Sequence, residues 1–253
     1  MAEMIEKCGK SPLKLVQESK AEELISALSG AEVRTITVVA NALMSHDFYC
    51  LPVAADLLAL LPDQVRSEIT VMLAQDDRMR RITAGEEDFV LAHLKLKLLG
   101  LDENAFAQNF YDSDEHQLTI PTETNVQKPA RLSAVLSFMS SEQAAPCLSA
   151  LKSADCKMYD EIKSHIFRFE DIMQIEPARL RHIFGGIMNS LPRFIPAALQ
   201  DTSPDVKELF CKSLGTDREK NMRTRLKKNV RYSEREVQEA RRKLLLALHV
   251  RRF

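Results

Sequence analysis

Val53-Ala54-Ala55-Asp56-Leu57-Leu58-Ala59-Leu60-Leu61, then Pro62-Asp63, then a run carrying Val65, Ile69, Met72 and Leu73, is the stretch that decides the fold class. Apolar residues recur at helical spacing on both sides of a breaker. Pro62 suits a first helical turn, where a missing N–H has no partner to lose. The same pattern runs outward in both directions. Leu24, Ile25 and Leu28 open one apolar stripe, and Ile36, Val38, Val39, Ala42 and Leu43 make the next. Phe89, Val90, His93, Leu94 and Lys97 follow at helical spacing, with Gly100 as a stop. Residues 12–100 therefore read as a series of helices.

The next stretch changes character. Tyr111-Asp112-Ser113-Asp114-Glu115-His116 and Ile120-Pro121-Thr122-Glu123-Thr124-Asn125 hold no helical period and several breakers, so 102–128 reads as a linker. Beyond it, Leu132, Val135, Leu136 and Met139 begin another helix, and Ser141-Glu142-Gln143-Ala144-Ala145 starts a further one. Met158, Ile162, Ile166 and Phe169 mark a longer one. The chain divides into a segment 1–30, a helical module 31–101, the linker, a second helical unit 129–165, and a C-terminal helical domain 166–253.

Composition agrees with an all-α chain. Seven glycines and ten prolines in 253 residues are few, and the good helix formers are plentiful. No apolar run is long enough to span a membrane, and the acids in Met1-Ala2-Glu3-Met4-Ile5-Glu6-Lys7 do not suit a signal peptide, so a cytosolic location is expected. Five scattered cysteines (Cys8, Cys50, Cys147, Cys156, Cys211) read as reduced thiols used for packing. The histidines and carboxylates have no metal-ligand spacing. No metal, cofactor or catalytic set is expected: Asp112, Asp114 and Glu86-Glu87-Asp88 are acids in loops or at helix starts.

Charge is unevenly placed. From Lys212 to Phe253 there are fourteen Lys/Arg against five Asp/Glu, a net of +9, while the chain as a whole is −1 and residues 1–211 therefore −10. Such asymmetry implies a partner, or contact between the halves.

The C-terminal third carries a more specific pattern. Ile166-Phe167-Arg168-Phe169 is followed by Ala198-Leu199, Val206-Lys207-Glu208 and Phe210, then by Val237-Gln238-Glu239-Ala240-Arg241-Arg242-Lys243-Leu244. This resembles the C-terminal domain of the flagellar motor switch protein FliG family, with its Met-Phe-x-Phe hinge, Ala-Leu-Lys-Gly turn and closing Val-Glu-x-Ala-Gln-x-Lys helix. From Leu199 to Leu245 the resemblance runs without a gap. The Ala54–Pro62 run resembles the family's middle domain, and Leu132–Leu136 with Glu142–Ala145 looks like a looser copy of it. The resemblance implies armadillo-like modules that stack to bury a shared core. The family's N-terminal domain has no counterpart in the expected layout, with only about thirty residues ahead of the middle-domain match.

The resemblance also implies roles for particular positions. Ile166, Phe167, Arg168 and Phe169 occupy the hinge, where two aromatics at i and i+2 on a helix would point to different sides; the alternative is that both rings are plain core. Glu32, Val33, Arg34 and Thr35 occupy the docking turn for a neighbouring switch protein, keeping only the glutamate of Glu-His-Pro-Gln. The family's stator-facing charges fall on Gln200, Asp217, Thr224, Arg225 and Ser233, with Val230-Arg231 in place of Gly-Pro. Two basic positions become neutral, one becomes acidic, and an acidic pair becomes neutral plus basic. Complementary charges register such a contact and like charges oppose it, so these changes remove or invert the recognition code. The helix from Asp217 to Asn229, with Met222, Leu226 and Val230 as its apolar stripe, is the expected torque helix.

The resemblance thus implies a rotor-side component at the cytoplasmic face of the bacterial inner membrane, reaching the membrane only through partners. Its partners would be other switch-ring proteins, neighbouring copies of itself, and the stator's cytoplasmic loop. The main alternative is a divergent paralogue serving as a structural adaptor, for instance in a secretion apparatus related to the flagellum. Nucleic-acid binding by the basic tail is not expected, because no recognised motif, phosphate loop or aromatic set accompanies it.

Overall fold

The computed structural model describes residues 9–46, 48–75, 84–100, 128–175, 178, 180, 194–214, 216–228 and 230–252. All regular structure among them is helical. The chain forms two compact units, Met1–Ile166 and Phe167–Phe253. The linker reading at 102–128 falls almost entirely outside the described residues.

The first unit contains α1 (Pro12–Glu18), α2 (Ala21–Ala27), α3 (Val33–His46), a 3-10 turn at Phe48–Cys50, α4 (Leu51–Ala59), α5 (Asp63–Ala74), α6 (Ala84–Leu99), α7 (Lys128–Phe138), α8 (Ser141–Ala154) and α9 (Cys156–His165). Starts and stops are written locally. Ser11 Oγ accepts from the Lys14 N–H, and Ser140 and Gln143 cap each other reciprocally. Asp155 Oδ1 accepts from the Met158 N–H, capping α9. Gly100 ends α6 at φ 66°, a left-handed conformation in which a Cβ is costly. Pro62 sits one residue earlier than expected. It is the extended residue ahead of α5 (φ −55°, ψ 145°), and the first turn begins with Asp63.

α7 lies at the centre of this unit, against α3, α4, α5 and α9, and α8 packs along α5. The two helical blocks at 31–101 and 129–165 thus share one core. Every residue from Ala130 to Met139 is buried, including Arg131, Ser133 and Ser137. The serines are satisfied within the helix, Ser133 Oγ donating to Ala130 O and Ser137 Oγ to Ser133 O. Arg131 donates through Nη1 to Met44 O and Ser45 O, the C-terminal carbonyls of α3. Arg66 uses the same device, with Nη1 donating to Ala59 O at the end of α4 and Nη2 meeting Asp63. Leu43, Leu51, Leu57, Leu58, Ile69, Leu132 and Leu136 are almost fully buried, each contributing roughly 1.5–3 kcal/mol of apolar burial.

The second unit contains a 3-10 turn at Phe169–Gln174, α10 (Ile195–Ala198), α11 (Pro204–Ser213), α12 (Thr216–Lys227) and α13 (Glu234–Arg252). Ser203 caps α11 through the Val206 N–H. α13 packs on α10, and its Val237, Ala240, Leu244 and Leu248 are all buried at spacings of three and four residues. Leu244 and Leu245 are buried and Leu246 is half-buried, so this leucine run is core.

The helix expected to run from Met158 to Phe169 is shorter. It ends at His165, and Ile166 (φ −64°, ψ 128°) and Arg168 (φ −105°, ψ 167°) are extended. Asp171 enforces the break, accepting the Arg168 N–H on Oδ2 at 2.8 Å and opening the 3-10 turn. Phe167 and Phe169 therefore alternate by extended geometry and not by helical geometry, and both are buried, at 8% and 5% exposure.

Candidate partner-binding face

The turn after α10 organises this face. Asp201 adopts φ 59°, where glycine is the usual helix terminator, and the Thr202 N–H and Oγ1 both reach Leu199 O. Asp201→Gly is expected to raise the stability of the second unit by up to about 1 kcal/mol, because it removes a Cβ penalty. Thermal unfolding of the two proteins checks this. A fall in stability would mean that the Asp201 side chain, 3.4 Å from Gln200 Nε2, holds the turn.

Gln200 is an internal tie. Its Nε2 donates to Tyr232 O at 3.0 Å and its Oε1 accepts the Tyr232 N–H at 2.6 Å, clasping the turn to the segment before α13. Arg241, on α13, closes the same turn from below. Its Nε donates to Ala198 O at 3.1 Å and its Nη2 to Gln200 O at 3.0 Å, while its guanidinium lies 5.0 Å from the Phe169 ring centroid. Phe169 in turn stacks on Phe210 at 6.4 Å.

Ser233 begins α13. Its Oγ accepts the Glu236 N–H at 3.3 Å, and the Glu236 carboxylate takes both the Ser233 N–H and its hydroxyl, a reciprocal cap. Those two bonds hold the Glu236 carboxyl below its usual range. Gln200 and Ser233 thus support the backbone here. Thr224 and Arg225 are exposed on α12, with Arg225 Nε donating to Asn221 Oδ1 at 3.0 Å. Asp217 lies in the first turn of α12, and its side chain is outside the described residues. The structure brings Gln200 and Arg225 to one groove of about 390 Å³, beside Lys207, Arg231 and Asp201.

The electrostatics of this face follow from Arg223. It binds Glu208 of α11 through both Nη atoms at 2.7 and 2.8 Å, and Glu219 through Nε and Nη2. Arg223, the nearest cation, holds the Glu208 carboxyl below its ordinary range. Glu208 of α11 and Glu219 of α12 are thereby both engaged by Arg223. From Lys220 to Lys228 there are five Lys/Arg and no acid, and Lys220, Arg225, Lys227 and Lys228 are exposed. Val230, expected to continue the buried stripe of Met222 and Leu226, lies beyond the end of α12 and is 56% exposed.

In the first unit, Glu32 and Arg34 are exposed and Val33 and Thr35 half-buried at the start of α3. Arg34 is engaged across the fold, its Nε 2.6 Å and Nη2 2.9 Å from the Glu86 carboxylate on α6. Thr35 borders an apolar groove of about 240 Å³ with Leu28, Phe89, Val90 and His93. Sequence reasoning passed over Arg66 and Arg131, and read Arg241 only as part of the closing-helix pattern. For Arg131 the available signal was a lone arginine inside an apolar run, Ala130-Arg131-Leu132.

Residues 149–250 match the family model of the FliG C-terminal domain. No curated protein sequence matches the chain. Among solved structures, it is similar to FliG residues 116–343 from H. pylori, with 17% identity, a TM-score of 0.33, and 92% of this chain and 89% of that one covered. FliG residues 86–343 from H. pylori match at 16% identity and TM-score 0.34, over 96% and 97% of the two chains. Full-length FliG from Aquifex aeolicus matches at 15% identity and TM-score 0.31, over 95% of this chain and 65% of that one.

Proposed function

We propose that this chain is a rotor-side component of the flagellar motor switch complex, a reading supported by the match of residues 149–250 to the family model of the FliG C-terminal domain. It works by protein–protein contact, without catalysis or a cofactor. The family match carries this reading. The first unit contacts neighbouring switch-ring proteins and further copies of the chain, with Glu32–Thr35 at a docking turn beside the groove bordered by Phe89 and His93. Ile166–Phe169 is the hinge: the boundary between the two compact units falls after Ile166, in extended backbone where no helix has to break for rotation. The protein sits at the cytoplasmic face of the inner membrane, held there by its partners; no described helix is long and apolar enough to cross a membrane. In-cell cross-linking tests this. Recovery of other switch-ring proteins supports the reading, and recovery of none overturns it.

One observation favours a second reading, that of an adaptor without torque. Position 200, lysine in the family pattern, is a glutamine whose two polar atoms are spent on the Tyr232 backbone. Gln200→Lys is expected to cost about 1–2 kcal/mol, because it removes both bonds, as read by chemical unfolding. A deletion strain that swims normally while its switch-ring contacts persist selects the adaptor.

A further inference from the structure

We propose that the face formed by α12 and the Val230–Tyr232 segment binds an acidic protein segment anchored by an apolar side chain. This rests on reading α12 as partner-facing, and it adds the polarity of the partner. Three observations converge on it. Lys220, Arg225, Lys227 and Lys228 are exposed on or just after α12 with no acid among residues 220–228, Glu208 and Glu219 are engaged by Arg223, and Asp201 faces Lys207, Arg225 and Arg231 around the adjoining groove. Arg231 and Lys207 extend the cationic lining into the adjoining groove of about 390 Å³. That groove also has apolar walls, Leu199, Leu226 and Val230, and Val230 is 56% exposed at its edge. A carboxylate-bearing segment would pair with the ridge, and its apolar residue would cover Val230.

A nucleic acid suits the ridge less well. Tyr232, the aromatic lining the groove, is half-buried behind its backbone bonds to Gln200, so it offers little ring surface for a base to stack on. Complementary exposed charges steer encounter, so binding should weaken as salt rises.

The test uses the full chain and fluorescence anisotropy with a labelled Glu/Leu peptide, a Lys/Leu peptide, and single- and double-stranded DNA. Wild type is expected to bind the Glu/Leu peptide, with affinity falling as salt rises. Lys227→Glu with Lys228→Glu is expected to weaken it roughly tenfold or more, since two attractions become repulsions. Val230→Ser is expected to weaken it several-fold with an unchanged salt slope. All three residues are exposed, so circular dichroism should match wild type. Equal binding of both peptides, or indifference to the charge reversals, overturns the proposal; preferential binding of DNA replaces it with a nucleic-acid surface. Cross-linking to switch-ring proteins is a separate readout, so a failure here is distinguishable from failure of the rotor-side function.

Discussion

Arg131→Ala is expected to destabilise the first unit by about 3 kcal/mol, a large share of what holds a domain of this size folded. Arg131 is 6% exposed, on the central helix α7. It supplies donors to Met44 O and Ser45 O, carbonyls that the geometry of α3 leaves without intrahelical partners. Removing the guanidinium leaves these acceptors without that donor in a dry setting, and alanine also abandons the aliphatic stem's contacts. Arg131→Met separates the two effects. It keeps most of the stem, so about 2 kcal/mol should remain as the cost of the uncapped carbonyls. Hydrogen exchange of peptides spanning α3 and α7 is the suitable measurement, because a chain of two compact units need not unfold in a single step. If Arg131→Met matched wild type, the guanidinium would contribute nothing net and burial alone would join α7 to α3.

The residues legible in the sequence were those that act locally. Ser141–Ala145 wrote a helix start and Gly100 a stop, because each depends on neighbours within one or two turns. α7 was read through four apolar residues. Its burial on every side from Ala130 onward was hidden, because Ser133 and Ser137 look like solvent positions until their hydroxyls are found bonded inside the helix. The extended link at Ile166–Phe169 was hidden for a related reason. Helical spacing continued across it, and only the Asp171 bond to the Arg168 N–H decides against the helix. At the proposed partner-binding face, the family pattern singled out Gln200, Asp217, Thr224, Arg225 and Ser233 as candidates. What each side chain does was not in the pattern. Gln200 and Ser233 act on the Tyr232 backbone and the start of α13, partners fixed by the fold and distant from any motif spacing.

Arg241→Ala should cost about 2–3 kcal/mol in the second unit and disturb the proposed partner-binding face as well. One guanidinium there performs two tasks. Its paired donors hold Ala198 O and Gln200 O, fixing the turn after α10, and its flat face covers the Phe169 ring at 5.0 Å. Charge-assisted bonds to helix-terminal carbonyls and a partly desolvated cation–ring contact together account for that magnitude. Arg241→Lys should recover less than half of it, because a single ammonium cannot address both carbonyls while stacking on the ring. Phe169→Leu removes the Arg241 contact together with the stack on Phe210; the second part remains in the Arg241→Ala background, so the cycle should return a coupling of about 1 kcal/mol for the ring contact alone. Chemical unfolding of the four variants in a double-mutant cycle reads this coupling. The coupling has a functional consequence, since Phe169 belongs to the proposed hinge and Gln200 lines the cationic groove. Arg241 is thus the side chain through which a rearrangement at Phe169 would reach the turn that shapes the groove, so Arg241→Ala should weaken Glu/Leu peptide binding although it lies on none of the α12 positions. Unchanged peptide affinity in a destabilised Arg241→Ala protein would show that the hinge and the groove act independently.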